Sequence, residues 1–221
     1  MNYQKQIIRT IIGMSGHVSP YNIFSDWVEM SALAIQNACF INHNELWKRR
    51  EDRYHTIISN YKAEDQRKFS EMFGVLSKAF EENIEDLLGG IYMGGECSSK
   101  YTGQFFTPFH ISLMTADVGI PKAYDGSHVI TCNESSCGSG SMVIANAAVL
   151  NKRGFDYRKL LKVVCQDLDW KCVFMSYVQL SLLGINAVVV QGDSLCDPYC
   201  KGYPAERTFR TPANMGMLVW K

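Results

Sequence analysis

Val129-Ile130-Thr131-Cys132-Asn133-Glu134-Ser135-Ser136-Cys137-Gly138-Ser139-Gly140 is an apolar run that meets an acid and then a Gly-x-Gly turn. It reads as a strand carrying Glu134 at its end, a turn on Gly138 and Gly140, and a helix that starts near Met142. Glycines at such a turn let backbone come close to a ligand, and the helix N-terminus sets N–H groups beside the carboxylate. A dinucleotide fingerprint needs a third glycine at position 143, where Val143 stands. The turn therefore points to a smaller nucleotide-type cofactor with a cationic end.

Two further strands downstream repeat the arrangement. Leu161-Lys162-Val163-Val164-Cys165-Gln166-Asp167 ends in an acid and runs into an apolar helix from Trp170 to Leu183, and Ala187-Val188-Val189-Val190-Gln191-Gly192-Asp193 ends in another. Asp167 suits ribose hydroxyls, Asp193 an exocyclic amine of adenine, and Glu134 a positive methionine end. Three acids at three strand ends, with the glycine turn after the first, form the pattern of an S-adenosyl-L-methionine pocket in a Rossmann-like methyltransferase.

With these motifs in order, the chain resembles the adenine-N6 DNA methyltransferases, most closely the modification subunit of type I restriction-modification systems. Gly103-Gln104-Phe105-Phe106-Thr107-Pro108 is similar to that family's Gly-Gln-Phe-(Tyr/Phe)-Thr-Pro segment, Glu134 to Gly140 stands for Asp-Pro-Ala-Cys-Gly-Ser-Gly, and Gln166-Asp167-Leu168-Asp169 for Gln-Glu-x-Asp. The resemblance covers roughly residues 84 to 197. It implies an α/β fold, a Rossmann-like S-adenosylmethionine-dependent methyltransferase fold with an incomplete parallel sheet and an N-terminal α-helical region. The strand order it implies is 3-2-1-4. The cofactor-binding residues it implies are Gly103, Gln104, Phe105, Thr107 and Pro108 as a lid over the methionine end; Glu134, Cys137, Gly138, Ser139 and Gly140 in the first turn; Asp167 and Leu168 after the second strand; and Asp193 and Ser194 after the third.

The family's Asn/Asp-Pro-Pro-Tyr/Phe motif is missing. Base methylation needs an acceptor for the target amine and a ring against the extruded base. Two segments compete for the place: Arg210-Thr211-Pro212-Ala213, with one proline and no aromatic, or a fourth strand from Met215 to Trp220, after which the sequence stops at Lys221. No catalytic residue is assigned under either alignment. The chain reads as a cofactor-binding module, with two alternatives: a non-catalytic sensing or assembly protein, or one half of a split DNA methyltransferase.

Composition narrows the classes. Lys and Arg total 22 and so do Asp and Glu, so the net charge of zero argues against autonomous DNA binding and leaves DNA contact to the company of a partner chain. Lys48-Arg49-Arg50-Glu51-Asp52-Arg53 reads as an exposed helix face laced with ion pairs. Eight cysteines contain no Cys-x-x-Cys pair and five histidines no ligand spacing, which predicts free thiols and no metal. Without an apolar run of about 20 residues or a signal-like start, a cytoplasmic protein with no membrane contact is expected. An open sheet edge would favour a second subunit or self-association.

Two domains are expected: a helical region over 1–83 and the cofactor-binding domain over 84–221. Ser19-Pro20 opens a helix through about Phe40, Asn44 opens a second, and Ala63 to Phe80 forms a third with Phe69, Met72, Phe73, Leu76 and Phe80 on one stripe. Gly89-Gly90 and Gly94-Gly95 read as turns. The apolar helices flanking the strands predict a sheet covered on both faces, and Ser139 a hydroxyl that bonds locally.

Overall fold

The computed structural model describes residues 2–94 and 105–217. Its first part is helical: α1 (Tyr3–Met14), α2 (Pro20–Ala38), α3 (Glu45–Ile58), α4 (Ala63–Glu82) and α5 (Leu87–Gly94). Side-chain oxygens cap the starts of the first three, Asn2 accepting from Lys5 N, Ser19 from Asn22 N and Asn44 from Trp47 N. These bonds satisfy N–H groups that have no partner inside the helix. In α4 the buried Phe69, Met72, Leu76, Ala79 and Phe80 recur at the helical period. Helix α1 has no counterpart in the sequence reading, although Tyr3, Ile7 and Ile11 form its buried stripe at i, i+4 and i+8.

The α/β part follows as α6 (Phe109–Gly119), β1 (Ile130–Glu134), α7 (Ser141–Lys152), the single turn α8 (Tyr157–Leu160), β2 (Leu161–Asp167), α9 (Trp170–Leu182), β3 (Asn186–Gln191) and β4 (Thr208–Arg210). Strands β1, β2 and β3 are parallel neighbours, with Glu134 beside Cys165 and Asp167 beside Gln191. Crossovers of one hand that step in one direction lay successive helices on one face. Cys132, Val163, Cys165, Ala187 and Val189 point that way by register, under α7 and α9. Helix α2 packs on the outer side of α9, so one core runs from Tyr3 to Phe209.

The expected order 3-2-1-4 holds for three strands and fails for the fourth. β4 lies antiparallel on the outer edge of β3, Phe209 beside Val189, and the sheet reads β1-β2-β3-β4. Two tethers fix it there. The Thr211 hydroxyl donates to Ile185 O at 2.7 Å and accepts from Ala187 N at 3.0 Å, while Arg210 N donates to the Gln36 side chain of α2 at 2.9 Å. The sheet is therefore mixed, and Pro212 to Gly216 forms a turn after it, with Asn214 Nδ2 donating to Asn186 Oδ1 of β3. Of the alternative fourth strand, Met215 lies in this turn and Trp220 falls outside the described residues.

The expected double cover is also corrected. The described helices line one face; on the other, Thr131, Asn133 and Lys162 are exposed beside a groove of about 470 Å³ that Tyr199 and Asn214 bound. Among the described residues, no helix is long and apolar enough to cross a membrane.

Gly89 and Gly90 lie inside α5, not in a turn. A Cβ at Gly89 would run into the Asp86 carboxylate and the Ser139 hydroxyl, and one at Gly90 into the Gln4 amide. These glycines mark close approach. Alanine is the better helix former by about 1 kcal/mol, yet Gly89→Ala is expected to destabilise the protein by about 1–3 kcal/mol through overpacking. Urea unfolding measures this, and a variant as stable as the parent would refute the packing account.

Candidate functional site

The turn after β1 needs its glycines. Gly138 has φ 53° and Gly140 φ 93°, left-handed values that side chains other than glycine's resist. Gly140 N donates to Cys137 O at 2.7 Å, and Gly140 then serves as the N-cap of α7, so the helix N-terminus opens at the turn.

Three elements hold this loop. From β2, Gln166 O accepts from Cys137 N at 3.0 Å, and the Asp167 carboxylate accepts from Gly138 N at 2.8 Å through one oxygen and from Asp169 N at 3.0 Å through the other. From α9, Ser176 Oγ donates to Gly138 O and Gln179 Nε2 to Ser139 O, both at 2.8 Å. From the start of α5, Asp86 accepts the Ser139 hydroxyl at 2.6 Å. Ser139 thus reaches 53 residues back, a correction to the local bond expected of it.

Asp86 is the residue that sequence reasoning missed. Only 7% exposed, its carboxylate also accepts from Gly89 N at 2.9 Å and from Gln179 Nε2 at 2.8 Å. Gln179 in turn accepts Leu88 N at 3.0 Å, which closes a buried network joining α5, α9 and the glycine turn. Asp86-Leu87-Leu88-Gly89 carries only an acid before a glycine-bearing apolar run, too common a pattern to single out.

The three strand-end acids differ. Glu134 is half-buried, and burial pushes its carboxyl above the usual carboxylate range, with Asp167 adding to the rise and a backbone bond from Ser136 opposing it. Asp167 is half-buried and follows Glu134's level by two residues along the edge. Asp193 is exposed, and backbone N–H groups of Leu195 and Cys196 on its Oδ1 hold it below the usual range. Gly192 N donates to Asp167 O at 2.9 Å, which brings the third strand's end against the second.

The remaining residues divide. Cys137 is buried and its Sγ lies 3.3 Å from Ser176 Oγ, a packing position. Leu168 is exposed and Ser194 partly so, beside their acids. Gly103 and Gln104 lie outside the described residues. Phe105 is 86% exposed, and Thr107 and Pro108 are exposed as they lead into α6. The ring that does reach the turn is Phe106, which stands against Gly138 and 5.0 Å from the buried Tyr92. Beyond Tyr92 lies the Lys171 ammonium, 4.8 Å from its ring and 3.5 Å from Asp169 Oδ2. Among the described residues, no group of three His, Cys, Asp or Glu side chains is arranged to hold a metal.

This geometry is one glycine turn and two half-buried carboxylates at the carboxyl edge of a parallel sheet, with a third acid at the rim. Such an edge sets carboxylate acceptors beside a glycine turn and a helix N-terminus. Residues 83–211 match the N-6 DNA Methylase family. Among solved structures, a Listeria monocytogenes protein described as a class I S-adenosylmethionine-dependent methyltransferase is 12% identical, with a TM-score of 0.48 over 88% of this chain and 53% of that one. The type I restriction-modification system methyltransferase subunit from Streptococcus thermophilus is 11% identical, with a TM-score of 0.48 over 91% of this chain and 60% of that one. The chain thus spans between half and two thirds of the length of these solved proteins. No curated protein matches it.

Proposed function

Because the chain belongs to the N-6 DNA methylase family, we propose that the carboxyl edge of its sheet binds S-adenosyl-L-methionine, with Glu134 facing the positive methionine end, Asp167 the ribose hydroxyls and Asp193 the adenine amine. The observation that carries this reading is Asp167, whose two oxygens accept from Gly138 N and Asp169 N and so fix the glycine turn beside the strand end. Each carboxylate oxygen keeps acceptor capacity for a ribose hydroxyl. The cofactor, when bound, supplies a methyl group on a sulfonium; this chain's residues bind and orient it.

The donor set fits that ligand. Glu134 is a carboxylate whose charge burial penalises, so a cation placed beside it relieves a cost that the free protein bears. The Gly138-Ser139-Gly140 backbone admits close approach, and Phe106 with Phe105, Thr107 and Pro108 forms the flank proposed to meet the methionine end.

The pH sign follows from Glu134. Its folded-state pKa lies above the ordinary value, so its contribution to stability is present at low pH and is lost as pH rises through the raised pKa. Glu134→Gln is therefore expected to make the cofactor-free protein more stable than the parent at neutral pH. The same variant binds S-adenosylmethionine about tenfold more weakly, one charge-assisted bond being worth about 1.5–3 kcal/mol. Calorimetric titration of both proteins tests the function: no binding by the parent refutes it, and equal binding by the variant removes Glu134 from the site.

No catalytic residue is proposed, because the sequence has neither a proline-proline motif nor the aromatic that follows it in adenine methylation. Cofactor binding without methyl transfer is the expected behaviour of this chain alone on adenine-containing DNA. Turnover is proposed where an acceptor and a stacking ring are supplied from outside these residues, as by a second subunit, and DNA contact belongs to that assembly. The residues up to 83 are proposed as a helical region serving the cofactor-binding part over 84–221, in a cytoplasmic protein.

A further inference from the structure

We propose that the cleft between the N-terminal helices and β4 is a second ligand site, which takes a terminal phosphate group on the guanidinium of Arg50. The basic run of α3 does not behave as one solvated face. Arg49 pairs with Glu45 at 3.4 Å, and Arg53 holds both oxygens of Glu29 at 2.6 and 2.8 Å. Arg50 turns inward and is 6% exposed. Its guanidinium carbon lies 5.5 Å from the Phe40 ring and 5.3 Å from the Phe209 ring. Two rings stand against the group, whose N–H edge carries five donors. Among the described residues, no hydrogen bond or ion pair reaches that edge, and none of its nitrogens is shut off from open space.

A buried charge without a partner costs free energy that packing against rings only partly offsets. Tyr177, whose phenolate would offset the charge, does not supply one: burial holds its phenol far above the ordinary pKa. Arg50 instead lines a cavity of about 220 Å³ together with Arg210, Asn44, Tyr199 and Tyr203, and no acid lines it. Arg210 spends one donor on Asn214 Oδ1 at 3.1 Å, and its backbone is fixed by Gln36.

Two arginines line one cavity that no acid lines, and this calls for a ligand with close to two negative charges and several acceptor oxygens. A terminal phosphate has both. The recess around Arg50 favours a phosphate at the end of a small molecule over a diester inside a DNA duplex. The rings of Tyr199 and Tyr203, 5.8 Å apart, offer an apolar flank for an organic group attached to it. The site also touches the cofactor turn through one residue: Gln166 Oε1 accepts Tyr199 N at 3.0 Å while Gln166 O accepts Cys137 N.

The test is thermal unfolding of the full chain at constant ionic strength, with chloride exchanged for millimolar inorganic phosphate, and separately with phenyl phosphate or phenol, neither of which carries the ribose or adenine that the strand-end site would recognise. Phosphate and phenyl phosphate are expected to raise the unfolding temperature of the parent, phenol to leave it unchanged. Arg50→Met is expected to lose that response and, in chloride alone, to unfold no lower than the parent, since an unpaired buried charge is gone. Arg210→Gln alters an exposed side chain, keeps the fold and should weaken the response about tenfold, which decides the matter if Arg50→Met fails to fold. A parent indifferent to both phosphates overturns the proposal. So does equal stabilisation of parent and variants, which would be a general salt effect. A duplex that binds equally with and without a 5′-phosphate, in an Arg50-dependent way, would move the source to internal DNA phosphates and overturn the terminal-phosphate assignment.

Discussion

Asp167→Ala is expected to lower the affinity for S-adenosylmethionine by about a hundredfold, the largest binding loss among the acids at the strand ends. Two contributions combine. The variant gives up the bonds a carboxylate makes to ribose hydroxyls, and it also releases Gly138 N and Asp169 N, which the same group now pins at 2.8 and 3.0 Å. Bonds to a charged acceptor are worth about 1.5–3 kcal/mol each, and about 3 kcal/mol corresponds to two decades of affinity. Asp169 also caps α9 by accepting Lys171 N at 2.8 Å, so the loss reaches the start of that helix. Asp193→Ala should cost less, because Asp193 is exposed and its carboxylate already serves its own turn. Titration calorimetry on the two variants sets the order. An Asp167→Ala protein that folds and binds like the parent would remove Asp167 from the site and, with it, the strand-end reading of the pocket.

What the sequence makes legible is what is local. β2 is readable to the residue because an apolar run ends on a carboxylate that the sheet's edge leaves accessible, and the starts of α2 and α3 are readable because Ser19 and Asn44 cap their own helices. The glycine turn is readable for the same reason: Gly138 and Gly140 are needed by backbone angles at those positions alone. The misreadings concern partners far along the chain. Gly89-Gly90 resembles a turn until Asp86, Ser139 and Gln4 are seen crowding it. The place of β4 depends on Thr211 meeting Ile185 and on Gln36 meeting Arg210, the latter pair 174 residues apart. Arg50 sits among residues whose pattern is that of a solvated face, and only the rings of Phe40 and Phe209 show that it is not one.

This division has a functional side. The residues proposed to touch the cofactor are short-range features, a turn and strand ends, whereas the residues that fix their positions are long-range ones. Ser176, Gln179 and Asp86 touch the glycine loop from two other elements and carry no motif. A binding site of this kind can be found from its contacts and still be lost through its supports, which makes a supporting residue the sharper test of the structure.

Asp86→Ala is that test, and its expected effect on stability is the largest of any single substitution considered. The carboxylate is buried and accepts from Ser139 Oγ, Gly89 N and Gln179 Nε2. Its removal leaves three donors facing a small void, and unsatisfied buried groups cost about 1–3 kcal/mol each. Partial relaxation and the loss of a buried charge offset part of this, so a net destabilisation of about 3–5 kcal/mol is expected. For a chain of this size that lowers the unfolding temperature by roughly 6–20 °C. Asp86→Asn should recover much of it, since the amide oxygen can accept from Gly89 and Gln179 while the Ser139 hydroxyl rotates to accept from the amide nitrogen. Affinity separates a support of the turn from a support of the fold. If Asp86 positions the turn, Asp86→Asn binds S-adenosylmethionine more weakly than the parent even at a temperature where both are fully folded, because Ser139 is held by a weaker, neutral bond. Equal affinity with lowered stability would assign Asp86 to the fold alone. An unaltered unfolding temperature for Asp86→Ala would contradict the buried network itself.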